Sequence, residues 1–207
     1  MRLQPNAGAC VAFINYKTRD LNAKVVYVGP PGSGKSTNLR CIGERTAKQH
    51  VGDLVSLNRD AERTAYFDFL PLFLGRIHGF RSRLHLYTLP GHIPFESSKR
   101  MILSGIDAMV FVADSGPDRV QDNLDSWKQI RATLGDYGID WKALPRAVQF
   151  NKRDIDGALA EDELRRLLDV EGAGVFGCVA LTGQGVFDTL KYVSREILRR
   201  MLQSGRA

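Results

Sequence analysis

The sequence predicts a three-layer α/β domain, a parallel-dominated sheet with helices on both faces. Three observations predict it. Short β-rich segments alternate with helix-period segments from end to end, which is the pattern of repeated strand–helix–strand units. The run Asp107–Asp114 is almost continuously apolar, as in a strand buried on both faces. And Gly29-Pro30-Pro31-Gly32-Ser33-Gly34-Lys35-Ser36 sits between a β-rich segment and a helix.

In chain order, residues 1–12 are small and polar and are expected to be a poorly ordered extension. The folded unit, 13–207, is expected to start at Phe13-Ile14-Asn15-Tyr16 and to be a single domain, since no linker or repeat interrupts it. A first strand covers about Ala23–Gly29. A helix follows from Ser36 to about Gln49, with Leu39, Ile42 and Ala47 on its apolar face. Leu54–Leu57 reads as a short strand. Residues 58–71 mix charges, aromatics and turn formers, as in a functional loop. Leu72–Gly79 and Arg83–Thr88 read as β-segments joined by a Gly-containing turn. In the second, Leu84, Leu86 and Thr88 share one face and His85 and Tyr87 the other. Residues 90–94 form a turn into a helix around Glu96–Leu103. After the apolar strand, Val120, Leu124, Trp127, Ile130 and Leu134 mark a helix over about Arg119–Leu134, with Trp127 in the core. A strand at Pro145–Phe150, a helix at Glu161–Leu168 and a strand at Val175–Ala180 follow. The last helix carries Val186, Leu190, Val193, Ile197 and Met201 on one face.

Composition narrows the function classes. With 207 residues, 43% hydrophobic and 25% charged, the chain is long enough for a full core. A net charge of +6 suits phosphate ligands or acidic partners. No basic run is dense enough to indicate nucleic-acid binding. Cys10, Cys41 and Cys178 are scattered without metal spacing, as in a reducing cytoplasm. No apolar stretch approaches the ~18 residues of a membrane span, and no signal-peptide core, myristoylation site or prenylation Cys is present. The expectation is a cytoplasmic protein without an intrinsic membrane anchor, monomeric when alone.

The Gly29–Ser36 run fits Gly-x-x-x-x-Gly-Lys-Ser/Thr, a phosphate-binding loop, and the domain is therefore expected to be a P-loop NTPase. Its glycines admit backbone N–H groups close to a phosphate, and the following helix N-terminus adds its positive end. Lys35 is expected to reach the β- and γ-phosphates, and the Ser36 hydroxyl to ligate Mg²⁺, with Thr37 beside it. The loop alone does not name the base: small-molecule kinases and AAA-type ATPases carry such loops too. Asn151-Lys152-Arg153-Asp154, about 115 residues later at a strand's C-terminal end, decides for guanine. The Asp154 carboxylate can accept both the ring N1–H and the exocyclic amine of guanine, a donor pair adenine lacks. The Lys152 stem can cover the base and Asn151 can tie its loop to the phosphate loop. Ala180-Leu181-Thr182 at the next strand's end would flank the base through a backbone N–H. A kinase would need an arginine-bearing lid for a second substrate, and none is found.

At this point the chain resembles the Ras-like small GTPases, and among them the bacterial MglA family of polarity and gliding-motility switches. Arg63-Thr64, Phe67-Asp68-Phe69-Leu70-Pro71, His85–Gly91, Val110–Ser115, Asn151–Asp154 and Thr182–Leu190 carry the resemblance, which spans almost the whole chain. It implies the small GTPase fold, GTP-to-GDP cycling with a Mg²⁺ cofactor, and a roadblock-type homodimeric partner that stimulates hydrolysis. It also implies motility or polarity effectors and recruitment to a cell pole. Carried over, Thr64 would be a second metal ligand sensing the γ-phosphate. Arg63 would be a catalytic arginine supplied in cis, and Gly91 would offer its N–H to the γ-phosphate. The usual Asp before that Pro-Gly is replaced by Thr88, as in the MglA family. Two departures bear on hydrolysis. His92 stands where Gln usually orients the attacking water, and a neutral imidazole can accept a hydrogen bond from water. Pro31, which has no N–H, replaces a common Gly. The alternative they motivate is a GTP-binding docking platform with impaired hydrolysis. Basic Lys191, Arg195, Arg199 and Arg200 on the last helix read as a solvated face, or as a surface for an acidic partner or anionic membrane. Aromatic Tyr66, Phe67, Phe69 and Phe73 are candidates for docking an effector.

Overall fold

The computed structural model describes residues 13–15, 17–56, 67–77, 79–90 and 96–204, and the structural statements below concern these. The extension expected over residues 1–12 lies outside them.

Strand β1 (Phe13–Asn15) pairs antiparallel with β2 (Asp20–Val28), and helix α1 (Lys35–Arg45) follows. Then come β3 (Val55–Ser56), β4 (Asp68–Ile77), β5 (Phe80–Thr88), α2 (Glu96–Leu103) and β6 (Ala108–Asp114). The chain continues through α3 (Val120–Asp136), β7 (Arg146–Asn151), α4 (Glu161–Leu168), β8 (Gly174–Gly177) and α5 (Val186–Ser204). One sheet runs in the order β3-β4-β5-β2-β6-β7-β8, with β1 beside β2. It is parallel from β5 to β8. Strand β4 is antiparallel to β5 because a tight turn joins them, with Gly79 at φ +82°, and a turn that short can only reverse the chain; β3 in turn pairs antiparallel with β4.

Side-chain alternation builds the three layers. On β2, Val25 and Tyr27 face one way and Val26 and Val28 the other. The first pair packs with Leu39 and Ile42 of α1 and Val193 and Ile197 of α5. The second packs with Leu103 of α2, Trp127, Ile130 and Leu134 of α3, and Leu164 of α4. Every residue of β6 is buried, the consequence of helices on both faces. The parallel strands all end on one edge, which carries the Gly29–Ser36 loop, Asn151 and Ala180.

Three boundaries differ from the sequence reading. Helix α1 stops at Arg45, not Gln49. Thr46 is extended, its N–H capping the Ile42 carbonyl, and Ala47 is exposed, not on the apolar face. The chain must leave the helix there because Val51 bridges to Leu72 and the Gly52 N–H donates to Pro71 O at 2.9 Å. Residues 68–71, read as loop, are the start of β4. Pairing of Phe69 with Tyr87 and Leu70 with Leu86 overrides the turn-forming composition. Strand β8, at Gly174–Gly177, begins one residue and ends three residues earlier than expected. Val179 instead turns to bridge Gln184.

Candidate functional site

The loop between β2 and α1 depends on glycine at defined positions. Gly29 has φ +140° and Gly34 φ +101°. A Cβ on Gly29 would lie 2.3 Å from the Val112 carbonyl oxygen, and one on Gly34 2.2 Å from Asn151 Nδ2. Helix α1 then begins with no side-chain cap and no acidic residue in its first turn. Its leading N–H groups and positive dipole end are left for an anion. Pro30 and Ser33 are buried, Pro31 and Thr37 half-buried, Gly32 and Ser36 exposed.

Lys35 is buried, and its Nζ donates to Gly29 O at 2.9 Å and Pro30 O at 2.7 Å. Loss of solvation pulls the ammonium down to about 8, against the opposing charge of Asp68. Among the described residues, two backbone carbonyls are the hydrogen-bond acceptors that hold the cation inside the loop. A phosphate there would stabilise its charged form.

Asn151, at the end of β7, joins two loops. Its Nδ2 donates to Ser33 O at 2.7 Å, and its Oδ1 accepts the Ala180 N–H at 2.9 Å. Of the backbone N–H groups of Ala180-Leu181-Thr182, one of which is expected to flank the base, that of Ala180 is thus engaged by Asn151. The next residue, Lys152, has φ +64°, an uncommon conformation for a side-chain-bearing residue. Its Nζ lies 2.6 Å from Asp114 Oδ2. Asp154 is exposed, and among the described residues its carboxylate has no partner. Leu181 is 78% exposed. Arg63, Thr64, Gly91 and His92 lie outside the described residues.

No protein-family model matches the chain. It is 44% identical over 195 residues to the mutual gliding-motility protein MglA of Myxococcus xanthus, covering 94% of this chain and 100% of that protein. The chain belongs to the MglA family of Ras-like small GTPases. More distant similarity extends to the GTPase Obg of Alkaliphilus oremlandii, 32% identical over 86% of this chain but only 40% of that protein. ADP-ribosylation factor-like protein 2 of Arabidopsis thaliana is 27% identical, over 89% of this chain and 92% of that protein.

In this MglA-family chain Thr88 is buried at the end of β5. Asp68, its antiparallel neighbour on β4, gives its N–H to Thr88 Oγ1 at 2.8 Å, and the Thr88 hydroxyl donates to Asp68 Oδ2 at 3.1 Å. Ser56 Oγ donates to Asp68 Oδ1 at 2.7 Å. A carboxylate from the adjacent strand thus stands beside Thr88, near enough to Lys35 to act on its charge. Among the described residues no cluster of three His, Cys, Asp or Glu side chains forms a metal cage. The oxygens at hand, the Ser36 hydroxyl and Asp68 carboxylate, suit Mg²⁺, which binds through few protein oxygens together with phosphates and water.

Sequence reasoning passed over four residues. Asp68 was visible only as part of a family run, and its role depends on cross-strand register. Asp114, only 1% exposed, holds Lys152 and accepts the Gly116 N–H at 3.1 Å. Asn123 clasps the Asp114 backbone with bonds of 2.9 and 2.8 Å. Arg119 lies 3.7 Å from Asp114, pairs with Asp122, and donates to Pro31 O at 2.8 Å. An acid ending a buried strand was the available signal for Asp114. The aromatic candidates also divide. Phe69 stacks on His85 at 5.8 Å and packs against Tyr87, which also meets Phe67, while Phe73 is 37% exposed. Tyr66 lies outside the described residues. Among the described residues no helix is long and apolar enough to cross a membrane.

Proposed function

We propose that this protein is a Mg²⁺-dependent molecular switch that binds GTP and hydrolyses it slowly to GDP. The observation carrying the reading is the Asn151 clasp. One side chain joins the phosphate loop at Ser33 to the loop at Ala180, and three residues on it is followed by the exposed, unpartnered Asp154. That arrangement supports a phosphate cradle and a guanine-reading carboxylate held in fixed relation. Asp154 would accept the two N–H groups of guanine, bonds to a charged acceptor being worth about 1.5–3 kcal/mol each. Gly29–Gly34 and the α1 N-terminus would receive the phosphates, and Lys35 would hold its proton against the β- and γ-oxygens. Ser36, Thr64 and Asp68 would hold Mg²⁺, which neutralises phosphate charge when bound. Gly91 would orient the γ-phosphate, His92 would accept a hydrogen bond from the attacking water, and Arg63 would stabilise charge on the leaving oxygens.

The relation to a mutual gliding-motility protein supports a role in motility or polarity, with a roadblock-type activating partner and recruitment to a cell pole from the cytoplasm. A second reading is a hydrolysis-impaired docking platform. It is favoured by Pro31, which offers no N–H and whose carbonyl is held by Arg119.

Phosphate release in a single turnover of Mg²⁺·GTP-loaded protein, alone and with a roadblock-type protein from the same genome, tests both. Slow release accelerated by the partner supports the switch. Absence of release in either case, with GTP still bound, overturns it in favour of the platform.

A further inference from the structure

A second polar cavity of about 300 Å³ lies where β7 begins, at the opposite end of that strand from Asn151. Lys142, Arg146, Tyr192, Glu196, Arg199 and Arg200 line it. Four of these are cations, and the one carboxylate, Glu196, is paired with Arg199. Arg200 is turned inward, donating to the Ala143 carbonyl. Arg146 is only 8% exposed. Its guanidinium donates to Lys142 O at 2.6 Å and Glu171 O at 2.5 Å, while its Nε has no partner. Among the described residues no carboxylate pairs with it.

A buried charge without a paired carboxylate is costly, and burial lowers the Arg146 pKa accordingly. The charges of Asp140 and Asp169 act against that shift without overcoming it, and both carboxylates have other partners. Asp169 is paired with Arg131 at 3.6 Å, and Asp140 Oδ1 caps the Lys142 and Ala143 N–H groups. Asp107 also interacts electrostatically with Arg200. The Trp141 ring lies 5.1 Å from the Arg146 guanidinium and 5.9 Å from Lys142 Nζ. The cavity is at the small end of the range for small-molecule sites.

We propose that this cavity is a second anion site, remote from the nucleotide, that takes a phosphoryl group. Four lining cations against one lining carboxylate suit a dianionic phosphate monoester better than a single carboxylate, and guanidinium donors match phosphate oxygens. The phosphate can come from a soluble metabolite or from the headgroup of an anionic lipid.

The test uses the full chain loaded with Mg²⁺·GDP, so that the phosphate loop is filled. Calorimetry and tryptophan emission follow titration with glycerol 3-phosphate, and flotation follows binding to phosphatidylglycerol vesicles. Two double variants are compared. Lys142→Ala with Arg199→Ala removes two charges from the cavity, and Lys191→Ala with Arg195→Ala removes two from exposed positions on the same helix. Saturable binding of glycerol 3-phosphate, weakened at least about tenfold in the cavity variant and less than about twofold in the other, supports a soluble ligand. The same contrast seen with vesicles alone supports a lipid headgroup. Binding to neither probe, or equal weakening in both variants, overturns the proposal.

Discussion

Removing the Asn151 side chain tests whether one clasp holds the site together. Asn151 is 2% exposed and makes two bonds to buried partners, 2.7 Å to Ser33 O and 2.9 Å from the Ala180 N–H. Asn151→Ala leaves both groups buried and unpaired. Each orphaned group costs about 1–3 kcal/mol, so the loss is about 2–6 kcal/mol. For a chain of this size that is a fall of roughly 4–24 °C in Tm, at about 2–4 °C per kcal/mol. Water entering the vacated space would bring the result toward the lower bound. Urea unfolding of nucleotide-free protein measures the stability term. GDP titration of the folded variant measures the functional one, since the phosphate loop and the loop at Ala180 are no longer tied. Both should fall together. A stability loss below about 1 kcal/mol with GDP affinity unchanged would refute the clasp.

Three further outcomes are expected. Asp68→Ala should abolish most of the Mg²⁺ dependence of GDP affinity while leaving Mg²⁺-free affinity within about twofold; calorimetry with and without EDTA checks this, and an unchanged Mg²⁺ effect removes Asp68 from the metal site. Lys35 is depressed to about 8 from 10.5, so a bound phosphate, which favours its charged form, should raise its pKa and draw in a proton. GDP affinity should therefore fall as pH rises through about 8. Proton uptake, measured in buffers of differing ionisation enthalpy, should appear there and be absent near neutrality. The same depressed pKa makes folding stability of the nucleotide-free protein rise between about pH 8 and 10.5, where the unfolded chain holds the proton and the folded one does not. Arg119→Leu, which frees the Pro31 carbonyl and removes one of two cations from Asp114, should speed GDP release about tenfold; unchanged dissociation of a fluorescent GDP analogue would show that this contact does not steady the loop.

Much of this architecture could be read from local chemistry. Gly29 and Gly34 declare themselves because only glycine tolerates those torsions and contacts, and β6 because burial on both faces demands an unbroken apolar run. The periodicity of α3 and α5 likewise follows from each helix having one face toward the sheet. The alternation of strands and helices implied a parallel sheet, and a parallel sheet places loop ends such as 29–36 and 151–154 on one edge. These are properties of neighbours in the chain.

Tertiary structure decided what depends on register between distant segments. Asp68 opposes Thr88 only because the turn at Gly79 and the register shift between Phe73 and Arg76 together set that pairing, and a shift of one residue would send the carboxylate to the other face. The Asp114–Arg119–Pro31 linkage joins residues far apart in sequence through side chains whose directions no local pattern specifies. Lys142 and Arg146 read as separate charges along the chain. They became the wall of a cavity only when α5 brought Arg199 and Arg200 beside the start of β7. Secondary structure follows from propensity and burial along the chain, whereas charge constellations arise from packing between elements, and there the sequence alone stops short.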